Sequence, residues 1–294
     1  MTIEMKTAEK WPNFFIVGAP RAGTTSLYHY LKTAPGVYMS PVKEPHYFAV
    51  TLKAWLKARG GKFDTTRLIH EKGEYLKLFQ GVKDEVAVGE ASPSYLWDPA
   101  AAGLINQAVP HARIIMSLRD PVDRAFSHYL MHVREGLERL PFEKVFEEPA
   151  YIVGGLYAAQ VERYFDLFGA DRVKVLIFEE FTRDTEAAVN DILKFLGVDG
   201  RVSDRLKTAH NSFAIPRGNL AKQLAANRVV SLAARSLLPS GIRGVLRQKL
   251  LYKKPAKPQL SQALAAALAN LYREDVKALE KILGRSLPWS LSGK

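Results

Sequence analysis

Short apolar runs and stretches with helical periodicity alternate from about residue 13 to about residue 200. The apolar runs are continuous, which is typical of parallel strands buried on both faces. They span Phe14–Val17, Pro35–Met39, Glu85–Gly89, Ala112–Leu118 and Arg172–Phe178. Apolar residues at three- and four-residue spacing predict helices at Thr24–Leu31, Ala100–Ala108, Ala158–Phe168 and Ala187–Leu196. The alternation predicts an α/β protein of three layers, α/β/α, around a doubly wound central parallel sheet.

The last third of the chain differs from this pattern in its charge. From Arg205 to Arg273 it carries thirteen Lys and Arg and no Asp or Glu, while the whole chain has a net charge of +12. We expect a basic helical cap at about 219–258, over the active site or against an anionic membrane surface, and then a final helix at Ser261–Leu283. A solvated basic face without a ligand is the alternative. The prediction is one domain, 1–294, with its core at about 13–200 and a loop, cap and C-terminal helix at about 205–290.

Composition narrows the possible chemistry. The chain has 294 residues, of which 47% are hydrophobic, and it has no cysteine, so disulfides and thiolate sites are excluded. Its seven histidines lack metal-ligand spacing, and we expect no metal. It contains neither a run of eighteen apolar residues nor the apolar core of a signal peptide. These features predict a cytoplasmic protein, with peripheral contact to the inner face of the membrane left open.

The first predicted strand runs into a glycine loop and then a helix start, in the sequence FFIVGAPRAGTTSLYHYL. Gly18 and Gly23 have the spacing of the P-loop G-x-x-x-x-G-K-[ST], and Thr25 occupies its Ser/Thr position. Thr24 replaces the lysine that bridges phosphates in an ATPase, and the nearest cation is Arg21. Backbone N–H groups at a helix start favour anions, so the loop predicts a site for the short anionic 5′ end of a nucleotide. An ordinary glycine turn is the alternative.

The phrase Lys43-Glu44-Pro45-His46-Tyr47-Phe48 follows the second predicted strand. Pro45 keeps Glu44 out of helical geometry, and ligands bind at the carboxyl ends of strands in open α/β sheets. Glu44 is therefore the candidate general base, with His46 as the competing candidate. A surface loop is the alternative.

Another polar segment, from Arg119 to Ser127, follows the strand at 112–118. Pro121 suits the first turn of a helix, and that helix would bring Ser127 near Arg119. An arginine fork with a hydroxyl is good phosphate-binding chemistry. The alternative is a surface pair, Arg119–Asp120 or Asp123–Arg124.

Taken together, these motifs resemble the P-loop sulfotransferases that use 3′-phosphoadenosine 5′-phosphosulfate (PAPS), nearest to the heparan-sulfate type and its bacterial relatives. The resemblance extends from Asn13 to about Ser290 and includes the glycine loop, K-E-P-H-Y-F, S-L-R-D-P-x-x-R-A-x-S, the late loop from His210 to Gly218, and Leu287-Pro288-Trp289. It implies PAPS as co-substrate, 3′-phosphoadenosine 5′-phosphate (PAP) as product, and no metal.

The resemblance also implies roles for particular residues. The 5′-phosphosulfate would be held by Arg21, Ala22, Gly23, Thr24, Thr25 and Ser26. The 3′-phosphate would be held by Arg119, Ser127, Arg217 and Gly218, the adenosine side by Tyr157, and the acceptor would lose its proton to Glu44. Many relatives have lysine where Arg21 stands, and several glycosaminoglycan-acting relatives have lysine at the position of Ala91.

The acceptor and the partners are less defined. A hydroxyl or amine on a carbohydrate, a glycolipid or another lipid-linked molecule, or a small metabolite fits the chemistry, and O- versus N-sulfation and the oligomeric state stay open. No nucleic-acid partner is expected, because the basic stretch lacks interleaved aromatic residues. The alternatives from other classes are a P-loop nucleoside or nucleotide kinase and a non-catalytic polyanion binder.

Overall fold

The computed structural model describes residues 9–58, 68–199, 215–216, 252–253, 258–289 and 291. Five strands form the central sheet, and two further strands of two residues each form a separate antiparallel pair. The strands are β1 Phe14–Gly18, β2 Val37–Met39, β3 Ala87–Ala91, β4 Arg113–Leu118, β5 Val173–Ile177, β6 Ile215–Pro216 and β7 Tyr252–Lys253. The helices are α1 Thr24–Lys32, α2 Val50–Ala58, α3 Lys72–Lys77, α4 Ala101–Ala108, α5 Pro121–Glu135, α6 Pro149–Ile152, α7 Ala158–Phe168, α8 Phe178–Arg183, α9 Thr185–Phe195 and α10 Gln262–Leu283.

The central sheet is entirely parallel, with strand order β2-β3-β1-β4-β5. From β1 the chain moves toward one edge of the sheet through α1, and from β4 it moves toward the other edge. The reversal leaves a crevice between the carboxyl ends of β1 and β4, where α/β sheets bind ligands. The predicted three-layer α/β/α fold with a central parallel sheet is confirmed.

Two apolar cores separate the layers, because alternate side chains of each strand point to opposite faces. Phe14 and Ile16 of β1 pack with α1 and α9 on one face. Phe15 and Val17 point to the other face, which α4, α5, α7 and α10 cover. All four side chains are fully buried, which explains why β1 reads as a continuous apolar run.

Several boundaries differ from those predicted. The strand expected at 85–89 is shifted to 87–91, with Glu90 buried inside it. In the basic segment, Tyr252–Lys253 forms a strand that pairs antiparallel with Ile215–Pro216, so the expected helix is wrong at those two residues. The rest of the predicted cap lies outside the described residues.

The C-terminal helix, α10, contributes buried side chains to one of the two apolar cores. α10 begins at its N-cap Ser261 and packs against α5 and α7. The carboxylate of Asp275 accepts hydrogen bonds from the backbone N–H groups of Tyr157 (2.6 Å) and Ala158 (3.2 Å) and so caps α7. Across the described ranges, no helix combines the length and apolarity needed to cross a membrane. The cytoplasmic location stays a prediction.

Candidate active site at the carboxyl edge of the sheet

The glycine loop is fastened to the neighbouring strand β4. The N–H of Ala19 donates to the carbonyl of Ser117 (2.7 Å), and the Ser117 hydroxyl donates to the carbonyl of Ala22 (2.7 Å). Ser117 is fully buried, so these bonds are shielded from water. The loop after β1 is therefore held at the mouth of the crevice.

The two glycines of the motif are needed for different reasons. A Cβ on Gly18 would lie 2.4 Å from Cβ of Leu96, too close for any side chain. Gly23 is the N-cap of α1 with φ of 82°, a left-handed conformation, and a Cβ there would lie 2.9 Å from the ring of Phe178.

Helix α1 starts without a side-chain cap. Its N-cap residue, Gly23, has no side chain that could accept from the first amides, and its first turn contains no acidic residue. Helices α3, α4 and α8 also lack a side-chain cap, whereas α5, α9 and α10 are capped by Asp120, Asp184 and Ser261. The N–H groups of Thr24, Thr25 and Ser26 are thus available to an anion at the positive end of the helix dipole.

Arg21 turns from the glycine loop toward α5. Its Nε donates to Oγ of Ser127 (3.2 Å), and its Nη1 lies 3.6 Å from Sδ of Met131. Burial, and then the positive charges of Arg134 and Arg119, lower the pKa of Arg21 to about 10. The guanidinium remains charged at neutral pH, and three arginines outnumber the one carboxylate, that of Glu135, among its charged neighbours, so this place favours a bound anion.

Arg119 follows β4, and its guanidinium has one N–H donor that no described residue binds. Its guanidinium lies over the ring of Phe178 (5.0 Å to the centroid), its Nη1 donates to the carbonyl of Arg21 (3.4 Å), and its Nη2 lies 3.4 Å from Asp123. Its Nε is buried without a partner in the described part of the chain. Neither of the surface pairs considered from the sequence forms, since Asp120 caps α5 and Arg124 is fully buried.

Arg124 is a site neighbour that the sequence did not single out as a ligand. It lies three residues before Ser127 on α5 and has no exposed surface. Its Nη2 contacts the carbonyl of Tyr151, while Nε and Nη1 have no partner among the described residues. The spacing from Ser127 was the available signal, because residues three apart share a helix face.

The candidate base lies in a short segment with unusual backbone geometry. Glu44 and His46 have φ of 63° and 53°, and the N–H of Glu44 donates to the carbonyl of Ala91 (2.9 Å). Lys43 contacts Oε1 of Glu44, and Nε2 of His46 lies 3.6 Å from Oε2. Nδ1 of His46 lies 2.7 Å from the Ser94 hydroxyl. The segment is therefore tied to the end of β3.

The charge of Glu44 is strongly favoured by these contacts. Burial by itself would raise the pKa of Glu44, but the nearby imidazole of His46 and the charge of Lys43 lower it to about 2. The Glu44 side chain keeps 39% of its surface exposed. It is thus an ionised carboxylate that an acceptor can reach from solvent.

The remaining predicted ligands are placed differently. Tyr157 is fully buried, and its hydroxyl donates to the carbonyl of Arg119 (3.0 Å). Its predicted contact with the nucleotide stays a prediction. Arg217 and Gly218 lie outside the described residues. In the described ranges, no three His, Asp or Glu side chains gather as a metal site.

Comparison with known proteins identifies the class. The chain matches the model of the sulfotransferase family over residues 12–204, which is more than half of its length. It therefore belongs to the sulfotransferase family of transferase enzymes. A crystal structure of a sulfotransferase from Alicyclobacillus acidocaldarius is 32% identical, with a TM-score of 0.68, and the match covers 95% of this chain and 98% of that one.

Curated relatives agree with this assignment. Human carbohydrate sulfotransferase 15 is 26% identical over 256 residues, covering 66% of this chain and 45% of that protein. The human bifunctional heparan sulfate N-deacetylase/N-sulfotransferase 3 is 26% identical over 212 residues, covering 66% of this chain and 23% of that protein. The chain thus corresponds to less than half of the length of these two relatives. Mouse sulfotransferase SULT7A1, solved with PAP, shares the fold (TM-score 0.51, 16% identity, 92% and 87% of the two chains).

The family result confirms the resemblance found in the motifs. It favours a sulfotransferase over the kinase and the polyanion binder considered from the sequence. The roles of individual site residues stay predictions.

Proposed function

We propose that the chain transfers a sulfuryl group from PAPS to a hydroxyl or amine of an acceptor and releases PAP. The observation that carries this proposal is the convergence of Arg21, Arg119 and Ser127 beside the uncapped start of α1. Two anion-binding places at one crevice suit a nucleotide with phosphate groups at both 5′ and 3′ positions. Family membership supports the proposal, as does the PAP complex of mouse SULT7A1.

At the 5′ end, Arg21 and the amides of residues 22–26 would bind the phosphosulfate. When bound, PAPS supplies the sulfuryl group, and negative charge then grows on the 5′-phosphate as its bond to sulfur breaks. Preorganised donors aimed at such charge contribute about 3 kcal/mol each. Arg21 lies near more cations than anions, so the bound phosphosulfate would add the counter-charge that this place lacks.

At the 3′ end, Arg119 and Ser127 would bind the 3′-phosphate, and Arg217 and Gly218, outside the described residues, stay predicted ligands of the same group. The fit rests on a donor that has no other use. Nε of Arg119 is buried and unpartnered within the described residues, and such a group costs free energy unless a ligand satisfies it. Tyr157 would act on this end through its hydrogen bond to the Arg119 carbonyl.

Glu44 would remove the proton from the acceptor as the acceptor atom attacks sulfur. Because Lys43 and His46 contact both oxygens of Glu44, an acceptor O–H or N–H must displace one of them to reach the carboxylate. General base catalysis of this kind contributes about a hundred- to ten-thousandfold in rate. His46 remains the competing base, with its Nδ1 already bonded to Ser94.

For the acceptor, we propose a carbohydrate as the first class to test, because two relatives are named for carbohydrate and heparan sulfate. Ala91 is fully buried under the Glu44 segment, so the lysine that some relatives have there has no equivalent at this place. A lipid-linked carbohydrate would add peripheral membrane contact. We further propose a single domain, since α10 packs directly on α5 and α7.

Sulfate-labelled PAPS and a panel of acceptors test the proposal. The panel contains desulfated heparin, chondroitin, a glycolipid and a small amine, and mass spectrometry detects the added sulfo group. Glu44→Gln should abolish transfer and leave the affinity for PAP intact, while the exposed Glu71→Gln serves as the matched control. Equal loss of transfer and PAP binding in Glu44→Gln would refute the base assignment, and ATP consumption without sulfuryl transfer would refute the proposed activity.

A further inference from the structure

A buried carboxylate lies behind the Glu44 segment and has no role in the chemistry described so far. Glu90 of β3 has no exposed surface. Its Oε1 accepts from the hydroxyls of Tyr75 (3.1 Å) and Tyr95 (2.7 Å), and its Oε2 accepts from the hydroxyl of Ser92 (2.8 Å). Such a group is costly to bury and is retained only where its partners satisfy it.

Two of the three hydroxyls also bind the segment that carries the candidate base. Oγ of Ser92 accepts from the backbone N–H of His46 (3.1 Å). The hydroxyl oxygen of Tyr95 accepts from the backbone N–H of Phe48 (3.2 Å). The Tyr75 hydroxyl bonds to the same carboxylate but not to this backbone.

The direction of each hydroxyl proton decides whether these bonds can form. A hydroxyl has one proton to donate and lone pairs that accept. Because Glu90 accepts both protons, the lone pairs of Ser92 and Tyr95 are left for the two amides. Burial, and then the charge of Glu90, raise the pKa of Tyr95 well above its usual value, so its hydroxyl keeps the proton.

The backbone of residues 44–48 needs contacts with the rest of the protein to keep its conformation. Glu44 and His46 both have positive φ, which is unfavourable for residues with a side chain. Alternate amides of the segment, those of Glu44, His46 and Phe48, are each bound by residues 91–95. Strained backbone persists only where its surroundings determine it in this way.

We propose that Glu90 is a positioning residue, which orients the hydroxyls of Ser92 and Tyr95 so that they hold the backbone of residues 44–48 at the active site. The consequence for catalysis rests on the proposed function of Glu44. A displacement of about 1 Å at such a site can reduce the rate about a hundredfold. Nucleotide binding, which uses the loops after β1 and β4, should not depend on Glu90.

Single substitutions separate the two hydrogen bonds to the segment, the one between His46 and Ser92 and the one between Phe48 and Tyr95. Glu90 uses one oxygen to accept from Tyr95 and the other to accept from Ser92. A glutamine has only one acceptor oxygen, so Glu90→Gln leaves at least one of these two hydroxyls without its acceptor. Ser92→Ala should deprotect the amide of His46 alone, and Tyr95→Phe that of Phe48 alone. Tyr75→Phe is the matched control, because it removes a hydroxyl bond to the same carboxylate that is not shared with the backbone of residues 44–48, and it keeps the ring that stacks on Tyr47 (4.3 Å between centroids).

The readouts are hydrogen exchange at the amides of His46 and Phe48, measured by NMR on the full chain, PAP affinity, and sulfuryl transfer. We expect faster exchange at one or both amides in Glu90→Gln, about a hundredfold lower kcat, unchanged PAP affinity, and no effect of Tyr75→Phe on any of the three. Unchanged exchange at both amides in Glu90→Gln would overturn the proposal. Faster exchange with unchanged transfer would support the positioning role and reject Glu44 as the base.

Should Glu90→Gln fail to fold, the hydroxyl variants decide. Ser92→Ala and Tyr95→Phe each accelerating exchange only at its own amide supports the proposal. Equal acceleration at both amides in either variant, or in Tyr75→Phe, would overturn it, since that is the result of general loosening.

Discussion

Nε of Arg21 lies 3.2 Å from Oγ of Ser127, a contact between residues 106 positions apart in the sequence. It joins the loop after β1 to α5 across the crevice between the carboxyl ends of β1 and β4. In the proposed function, Arg21 belongs to the 5′ end of the nucleotide and Ser127 to the 3′ end. The contact thus links the two proposed anion-binding places directly.

Ser127→Ala should weaken PAP binding because it removes a hydroxyl donor to the 3′-phosphate. Hydrogen bonds to charged groups contribute about 1.5–3 kcal/mol, so Kd should rise roughly ten- to hundredfold. Calorimetry with PAP and with adenosine 5′-phosphosulfate, which lacks the 3′-phosphate, measures the difference. An equal loss for both ligands would mean that Ser127 acts by holding Arg21 rather than the 3′-phosphate.

Arg119→Ala should also weaken the binding of PAP more than the binding of a nucleotide without a 3′-phosphate, and the difference should be larger than for Ser127→Ala. The residue offers a buried, unpartnered Nε and a guanidinium held over the ring of Phe178. We expect the affinity for PAP to fall by at least the tenfold that 1.4 kcal/mol represents, with adenosine 5′-phosphate little affected. Arg113→Ala, at the other end of the same strand, is the control, since its Nη1 donates to the carbonyl of Leu196 far from the crevice. An unchanged preference for PAP would remove the 3′-phosphate assignment.

Much of the fold was readable because burial leaves a simple trace in the sequence. β1 is buried on both faces and therefore reads as one apolar run. Pro121 correctly indicated the start of α5. The β3 boundary was missed because Glu90 interrupts the apolar pattern, and the hydroxyls that allow its burial come partly from Tyr75, fifteen residues earlier.

The site was readable only in part. Glycine spacing indicated the candidate anion-binding loop, since the backbone geometry of such a loop requires glycine at fixed positions. The fully buried Arg124 looked like a surface charge, because a local pattern does not reveal that α6 and the turn after it cover α5 at that point. Likewise, the contact of Arg21 with Ser127 depends on strand order, which brings β1 and β4 together only in the folded sheet.

Lys43→Met should change the pH dependence of transfer. Lys43 contacts Oε1 of Glu44 and helps to lower the pKa of that carboxyl to about 2, so the wild-type base stays ionised throughout the usual acid range. Removing the cation raises the pKa of Glu44, and a base is lost as pH falls through its pKa. The acid limb of kcat/KM should therefore move to higher pH in the variant.

The control for this change is Lys77→Met, which removes the lysine of an exposed pair with Glu74. Its pH profile should match that of the wild type. An acid limb that stays in place in Lys43→Met would argue that Glu44 is not the group whose ionisation transfer requires.

Asp120→Asn should stabilise the fold at neutral pH. Asp120 caps α5 by accepting from the N–H groups of Val122 (2.9 Å) and Asp123 (3.3 Å), and asparagine caps about as well. Burial, and then the negative charge of Asp123, raise the pKa of Asp120 to about 6. A carboxyl with a raised folded pKa contributes stability that is fully present below its unfolded pKa, about 4, and is lost as pH rises through about 6.

The uncharged variant does not incur this loss. The melting temperature of Asp120→Asn should therefore exceed that of the wild type at pH 7.5, and the difference should shrink toward pH 4.5. Asp184→Asn is the matched control, because Asp184 caps α9 from an exposed position. The negative charge of Asp184 interacts favourably with the dipole of α9, so Asp184→Asn should be slightly less stable than the wild type at pH 7.5. Equal effects of the two substitutions would show that burial beside Asp123 does not govern the ionisation of Asp120.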